Sequence, residues 1–226
     1  MDVLQPATTP SLIETMRADN DGNIALLSKH LQRLRSSAAT LHFAYPGDQA
    51  VISTLADRLA NNTHRKDQGP HEHRVRLLLS PEGEITITVA RLDPLPPNQR
   101  VALSKTFLPS DNPWLQHKTT FRPWYSDAPD WLAQHPDFFD LIYLNENSQL
   151  CEGSRSNIYL KFDNDWLTPP LPSGLLGGMQ RLDLLQRGYV KEASLNKSDL
   201  LSATQWRLSN ALRGWFDVRL DLSVSD

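Results

Sequence analysis

Two proline-bearing stretches in the middle of the chain limit what it can fold into. Residues 92–100, LDPLPPNQR, carry Pro94, Pro96 and Pro97, and residues 107–116, FLPSDNPWLQ, carry Pro109 and Pro113. Proline fixes φ and lacks an amide hydrogen, so the first stretch cannot continue a helix. The second lies between two better-patterned regions and reads as a linker. This places a smaller N-terminal domain over residues 1–106 and a larger C-terminal one over residues 117–226. A chain of 226 residues has room for two such domains.

Periodicity fills in both halves. In residues 24–43, Leu27, Leu31, Leu34, Ala38 and Leu41 recur at three- and four-residue steps, which predicts a helix with one apolar face. A second helix is expected over residues 47–61, opened by Gly47 and Asp48 and striped by Ile52, Leu55 and Leu59. The polar run NNTHRKDQGPHEH, with Gly69 and Pro70, reads as a loop. RVRLLLS and ITITVAR flank a Pro-Glu-Gly turn and read as a hairpin. Further on, FDLIYLN and SNIYLKF read as paired strands around a Glu-Asn-Ser-Gln turn. WLTPPLPSGLLGG reads as a loop feeding a helix, MQRLDLLQRG, with Gly188 as its stop. The final 35 residues suggest a short helix, a strand around Gln205–Leu208 and a closing strand around Phe216–Leu220. Helices and strands mix in both halves, so the expected class is α/β or α+β.

Composition excludes several classes of function. The net charge of -3 and pI near 6.2 provide no general attraction to nucleic acid or to an anionic membrane. Cys151 is the one cysteine, so no intrachain disulfide forms, which suits a reducing cytoplasm. No apolar run approaches the roughly 18 residues that span a bilayer. The opening MDVLQPATTPSLIETM lacks the basic-then-apolar pattern of a signal peptide. His71 and His73 have no well-spaced third ligand, so no metal set is expected. No Gly-x-Ser-x-Gly elbow occurs.

Several residues could carry chemistry, and each has a plainer alternative. Lys118 stands in DNPWLQHKTTFRPWY, in a chain with seven lysines against sixteen arginines. Semi-apolar surroundings favour a neutral, nucleophilic amine, which suits attack on a carbonyl or an aldehyde cofactor. Locally, a surface lysine beside a linker explains it better. Glu152, in LCEGSRSNIYL, could point into a cleft at the end of a sheet or be a turn carboxylate. Ser154 and Asn157 could be turn residues. Arg33, at the edge of the first helix's apolar stripe, could snorkel to solvent or be held inward to bind an anion. Gly174, Gly177 and Gly178 precede a helix whose first-turn amides could attract phosphate, or they form a plain connection. Ser209 and Asn210 could donate to a phosphate or make a turn.

The order and spacing of these segments resemble the class IV aminotransferase family, the fold-type IV pyridoxal-phosphate enzymes. The resemblance runs from about Leu12 to the C-terminus. LIETMR followed by LLSKHLQRLRSSAATLHF resembles the family's first strand and helix. There the arginine of the His-Leu-x-Arg-Leu pattern binds the cofactor phosphate, which implies that role for Arg33. HKTT is similar to the cofactor-lysine segment, implying Lys118. CEGSRSNIYL, the most specific match, implies that Glu152 pairs with the pyridine nitrogen and brings Asn157 into the site. GLLGGMQR resembles a phosphate loop that usually reads Gly-x-Leu-Pro-Gly-x-Thr-Arg. It implies phosphate on the backbone amides of Met179 and Gln180. Here Gly177 replaces the usual proline, and Gln180 replaces the usual threonine with its hydroxyl. SNALRG implies phosphate-side contacts from Ser209 and Asn210. The family's leading strands before the Glu-Thr pair are largely missing.

The resemblance implies a two-domain fold with pyridoxal 5'-phosphate at the domain interface, a small-molecule amino substrate and a homodimer. HKTTFRPWY, SNALRG and the compact form are similar to the aminodeoxychorismate lyase branch, which yields 4-aminobenzoate and pyruvate. The alternatives are a D-amino-acid or branched-chain transaminase of the same fold, and a cofactor-free binding module. Arg17, Arg76 and Arg122 are candidate binders of substrate carboxylates.

Overall fold

The computed structural model describes residue 6, residues 10–63 and residues 71–224. The chain forms two compact units, Met1–Pro94 with His117–Phe121, and Leu95–Gln116 with Arg122–Asp226.

In the first unit, strands β1 (Leu12–Ala18), β2 (His73–Leu79) and β3 (Ile85–Arg91) make an antiparallel sheet in the order β1-β2-β3. Alternation fixes its register: Val75, Leu77 and Leu79 of β2 turn inward while Arg74 and Arg76 are exposed. The β2–β3 pair is the expected hairpin, and its turn needs Gly83 in the left-handed region, with φ 93. Helices α1 (Leu27–Thr40) and α2 (Asp48–Thr63) cover one sheet face. Their Leu31, Leu34, Val51 and Leu55 share a core with Leu12, Met16, Val75 and Leu77. α1 starts later and ends earlier than expected from 24–43, and His42, with a left-handed φ of 58, lies just past its end. Gly69 and Pro70 of the expected loop lie outside the described residues.

Segment 117–121 joins this unit at the outer edge of β1. Ile13 N donates to the Lys118 carbonyl at 2.7 Å, and Thr120 N donates to the Ser11 carbonyl at 2.9 Å.

The second unit contains an eight-stranded sheet. Its strands are β4 (Arg100–Leu108), β5 (Phe138–Asn145), β6 (Leu150–Gly153), β7 (Asn157–Phe162), β8 (Asp165–Thr168), β9 (Lys191–Glu192), β10 (Gln205–Asn210) and β11 (Gly214–Leu220). Their order is β6-β5-β4-β11-β10-β7-β8-β9. The β4–β5, β4–β11 and β8–β9 pairs are parallel. Every residue of β5 is buried, which explains why FFDLIYLN reads as a nearly unbroken apolar run. Helices α3 (Ala128–Gln134), α4 (Met179–Gln186) and α5 (Lys197–Ser202) complete the unit. Asn196 and Asp199 cap α5 reciprocally. Gly188, with φ 70, follows α4 as expected.

Two further sequence expectations differ from the structure. Residues 107–116, expected as the linker, belong wholly to the second unit. β4 runs through Leu108, the Glu146 carboxylate accepts from Ser110 N at 2.9 Å, and Leu115 is buried. Pro113 there begins a 3-10 turn, and the division follows Pro94 instead. β5 and β7 also do not pair across the Glu-Asn-Ser-Gln turn. The short β6 takes that place, and β7 lies between β8 and β10.

Leu208 on β10 is fully buried in the second unit's core. Leu208→Ala should lower the unfolding free energy by about 2–5 kcal/mol in urea titration, as buried leucine truncations do. A loss below about 1 kcal/mol would show that the site relaxes around the cavity.

Candidate active site

Glu152 lies on β6, buried, one residue before the turn that leads into β7. A buried carboxylate must be satisfied by donors, and Tyr125, Leu176 and Asn157 are among those that reach it. Tyr125 Oη donates to Oε1 at 2.6 Å, and Leu176 N donates to the same oxygen at 3.0 Å. Asn157 Nδ2 donates to Oε2 at 3.2 Å and to the Leu176 carbonyl at 2.9 Å. The carboxylate therefore ties β6 to β7, to the turn containing Tyr125 and to the loop before α4.

The turn after Glu152 is set by a second buried carboxylate, Asp140 of β5. Ser154 Oγ and Ser156 Oγ each donate to it at 2.5 Å, Leu141 N at 3.0 Å and Arg155 N at 3.1 Å. Burial pushes the Asp140 carboxyl above its ordinary range, against the lowering effect of the two serine hydroxyls. Gly153 sits so close that a Cβ would overlap the Asp140 carboxylate.

The register of the sheet brings further residues to this place. Asn157 of β7 is directly opposite Ser209 of β10. Ser209 is fully buried, and its hydroxyl is 2.7 Å from Tyr159 Oη. Gly178 is the N-cap of α4, and a Cβ there would overlap Asn157 Oδ1. The amides of Met179 and Gln180, in the first turn of α4, have no acceptor within the helix.

In the first unit a different cluster forms. Glu14 of β1 is on the core-facing side of its strand, between Leu12 and Met16. Arg33 grips it from α1 through Nε at 2.8 Å and Nη2 at 2.6 Å, and His30 Nδ1 is 2.6 Å from Oε2. Burial raises the Glu14 carboxyl, but Arg33 and His30 outweigh it and hold the group at about 2. One turn further along α1, Ser37 Oγ is 2.9 Å from His117 Nδ1, beside Lys118. Burial lowers the His117 ring below its ordinary range.

A family model for class IV aminotransferases matches residues 11–220. The chain belongs to the class IV aminotransferase family. A Schizosaccharomyces pombe protein named "putative aminodeoxychorismate lyase" is 29% identical over 199 residues, covering 85% of this chain and 83% of its own. A Thermotoga maritima protein named "probable branched-chain-amino-acid aminotransferase" is 42% identical over 88 residues, 37% of this chain and 32% of its own. The structure of a "putative amino-acid aminotransferase" from Mesorhizobium loti superposes with a TM-score of 0.83 at 32% identity, covering 94% of this chain and all of that one. The fold is therefore that of the fold-type IV enzymes. The cofactor of the class IV aminotransferases is pyridoxal phosphate, and a Mycobacterium tuberculosis aminotransferase of this fold is known in a form that holds it, with a TM-score of 0.73 at 23% identity.

The second unit fits that cofactor. A pyridine nitrogen calls for a fixed carboxylate, and Glu152 is one. A phosphate calls for amides not used within a helix, and α4 begins with them where Gly178 lets the backbone come close to Asn157.

Of the residues singled out by sequence, Glu152, Asn157, Ser209 and the Met179–Gln180 turn gather in the second unit. Asn210 serves its own turn. Its Oδ1 accepts from Leu212 N at 3.1 Å and Arg213 N at 2.9 Å, and its Nδ2 donates to the Arg155 carbonyl at 3.2 Å. Arg33 and Lys118 both lie in the first unit. Among the carboxylate-binding candidates, Arg17 is 3.7 Å from Glu72 and Arg76 is exposed on β2. Arg122 stacks its guanidinium over the Tyr125 ring at 4.7 Å and donates to the Ser154 carbonyl.

Sequence reasoning missed Tyr125, Asp140, Glu14 and His30. For Glu14 a signal was present: strand alternation in LIETM puts it on the same face as Leu12 and Met16, where a carboxylate requires a partner. For Tyr125 and Asp140 there was none, since their partners lie 27 and 14 residues away.

Glu14 generates a pH prediction. Its folded-state value of about 2 lies below the ordinary 4.5, so its contribution is present above pH 4.5 and is lost as pH falls towards 2. The drop corresponds to about 3 kcal/mol. Glu14→Gln should destabilise the protein at neutral pH and flatten the fall in denaturant midpoint across that acid range. An acid slope equal to wild type would contradict the ion pair.

Proposed function

We propose that this class IV aminotransferase family member is a 4-amino-4-deoxychorismate lyase, releasing 4-aminobenzoate and pyruvate. The observation that carries the cofactor half of the reading is the Glu152 carboxylate, buried and held by Tyr125, Leu176 and Asn157. The S. pombe relative, matched over 85% of this chain, supports the lyase half.

Bound pyridoxal phosphate supplies an aldehyde for amines and a ring that draws electrons from the carbon bearing nitrogen. In this reading the Lys118 amine anchors the aldehyde. With a substrate in place, Lys118 Nζ would take the proton from the nitrogen-bearing ring carbon of the substrate. The ether bond to the three-carbon side chain then breaks, that fragment gains a proton and leaves as pyruvate, and the remaining ring is aromatic. Glu152 keeps a proton on the pyridine nitrogen. Arg33, the amides of Met179 and Gln180, and the Ser209 and Asn210 segment hold the phosphate through charge-assisted hydrogen bonds. A homodimer in a cytoplasmic setting belongs to the same reading.

Amino-group transfer is the second reading, favoured by the 42% identity to the T. maritima protein over 88 residues. The two differ in products. Purified protein incubated with 4-amino-4-deoxychorismate is expected to form 4-aminobenzoate and pyruvate in equal amounts. No product, together with transfer from D-alanine or a branched-chain amino acid, would replace the lyase with a transaminase. Lys118→Ala is expected to abolish either activity and the yellow absorbance of lysine-bound cofactor. A variant that stays yellow would remove Lys118 from its role.

A further inference from the structure

Tyr125 has no part in the chemistry proposed for this family member, yet its hydroxyl bonds Glu152 at 2.6 Å, closer than the Leu176 amide or Asn157. It ends a 3-10 turn, Pro123–Tyr125, whose backbone is closed by Tyr125 N donating to the Arg122 carbonyl at 3.2 Å. Two neighbours pack against the ring. Arg122 lies over it at 4.7 Å, and Tyr143 meets it edge-on at 5.2 Å. Arg122 also donates to the Ser154 carbonyl, in the turn that Asp140 organises. Tyr143 is fixed in turn, its hydroxyl donating to Asp127 Oδ1 at 2.7 Å, and Ser104 Oγ donates to Asp127 Oδ2 at 2.6 Å. A phenol this constrained can only aim at Glu152 Oε1.

We propose that Tyr125 is a positioning residue that keeps Glu152 ionised, by donating a buried hydrogen bond that only the carboxylate form fully accepts. Removing a donor from an anion favours its protonated form. A protonated Glu152 could no longer hold a proton on a ring nitrogen. The proposal rests on the reading of Glu152 as the ring partner and adds the group that sets its charge.

Asn157 and the Leu176 amide also donate to Glu152 and favour the same charged form, and Tyr125 adds the shortest of these bonds. Burial and the adjacent carboxylate push the Cys151 thiol well up, so it stays neutral. Burial and Glu152 likewise push the Tyr125 phenol well above its ordinary value, so the proton stays on the phenol side. Asn157 and the Leu176 amide are neutral donors. Arg122 faces the ring of Tyr125.

The test reads the ionisation of Glu152 directly. In full-length cofactor-free protein, the infrared carboxyl band that disappears in Glu152→Gln belongs to Glu152, and its midpoint is followed against pH. Tyr125→Phe keeps the ring and its packing and removes one oxygen. It should raise that midpoint by about one pH unit, as expected for one hydrogen bond to a charged group. In cofactor-loaded protein, Tyr125→Phe should shift the pH midpoint of the bound-cofactor absorbance, and should add nothing in a Glu152→Gln background. An unchanged infrared midpoint in Tyr125→Phe overturns the proposal, as does an equal absorbance shift with Gln at 152. If the infrared midpoint moves but bound-cofactor absorbance ignores Glu152→Gln, then the reading of Glu152 as ring partner is what fails.

Discussion

The second unit depends on the burial of Asp140. A carboxylate with no solvent exposure is costly unless donors surround it, and the chain supplies four within residues 141–156. Meeting that demand bends the backbone into a tight turn immediately after Glu152 and starts β7 at Asn157. It also explains why Gly153 has no side chain, since the Asp140 carboxylate fills the place a Cβ would take. The two serines of CEGSRSN are thus fittings for a carboxylate on the preceding strand. Arg155 secures the same turn from outside, with its guanidinium over the Phe139 ring at 4.6 Å and on the Phe139 carbonyl.

With the turn fixed, the rest of the second-unit site follows from sheet register. β7 starts at Asn157, and its pairing with β10 sets Ser209 opposite. Asn157 then holds both Glu152 and the Leu176 carbonyl, so the loop entering α4 is tied to the carboxylate it serves. The replacement of proline by glycine at position 177 leaves this arrangement intact, because the anchoring is done by the backbone of Leu176 and the close approach by Gly178. Neither depends on the side chain at 177. Gln180 likewise lies in the first turn of α4, where its backbone amide does not depend on its side chain.

Legibility from sequence divided along a physical line. Elements whose identity rests on local periodicity were readable: the α1 stripe of Leu27, Leu31, Leu34 and Ala38, and the β2–β3 hairpin with Gly83 in its turn. Elements whose identity rests on partners far along the chain were not. Residues 101–106, between the two proline-bearing stretches, carry no assignment from periodicity, yet parallel pairing with β5 and β11 makes β4 central. Prolines at 94–97 and at 109–113 look equivalent in sequence. What separates them is that Glu146 holds Ser110, which makes the second set part of a packed unit. The site residues were legible as a set only through their order and spacing. Singly, Glu152 is indistinguishable from a turn carboxylate until the donors from Tyr125 and Leu176 are known.

The first unit illustrates why an ion pair and a ligand-binding arginine are compatible roles. A guanidinium carries five donors in a rigid planar fork. Glu14 occupies Nε and Nη2, so the plane and direction of the remainder are set by a buried carboxylate and not by a flexible side chain. Because His30 shares Oε2 one turn earlier on α1, the carboxylate itself has little freedom to swing. The entropy of ordering the arginine is thus already spent in folding. Lys118 is treated similarly: its carbonyl is bonded to β1 and its neighbour His117 to α1, so its side chain departs from a backbone fixed on two elements. The Arg33 side chain and the Lys118 backbone are thus each held by contacts made within the unit itself.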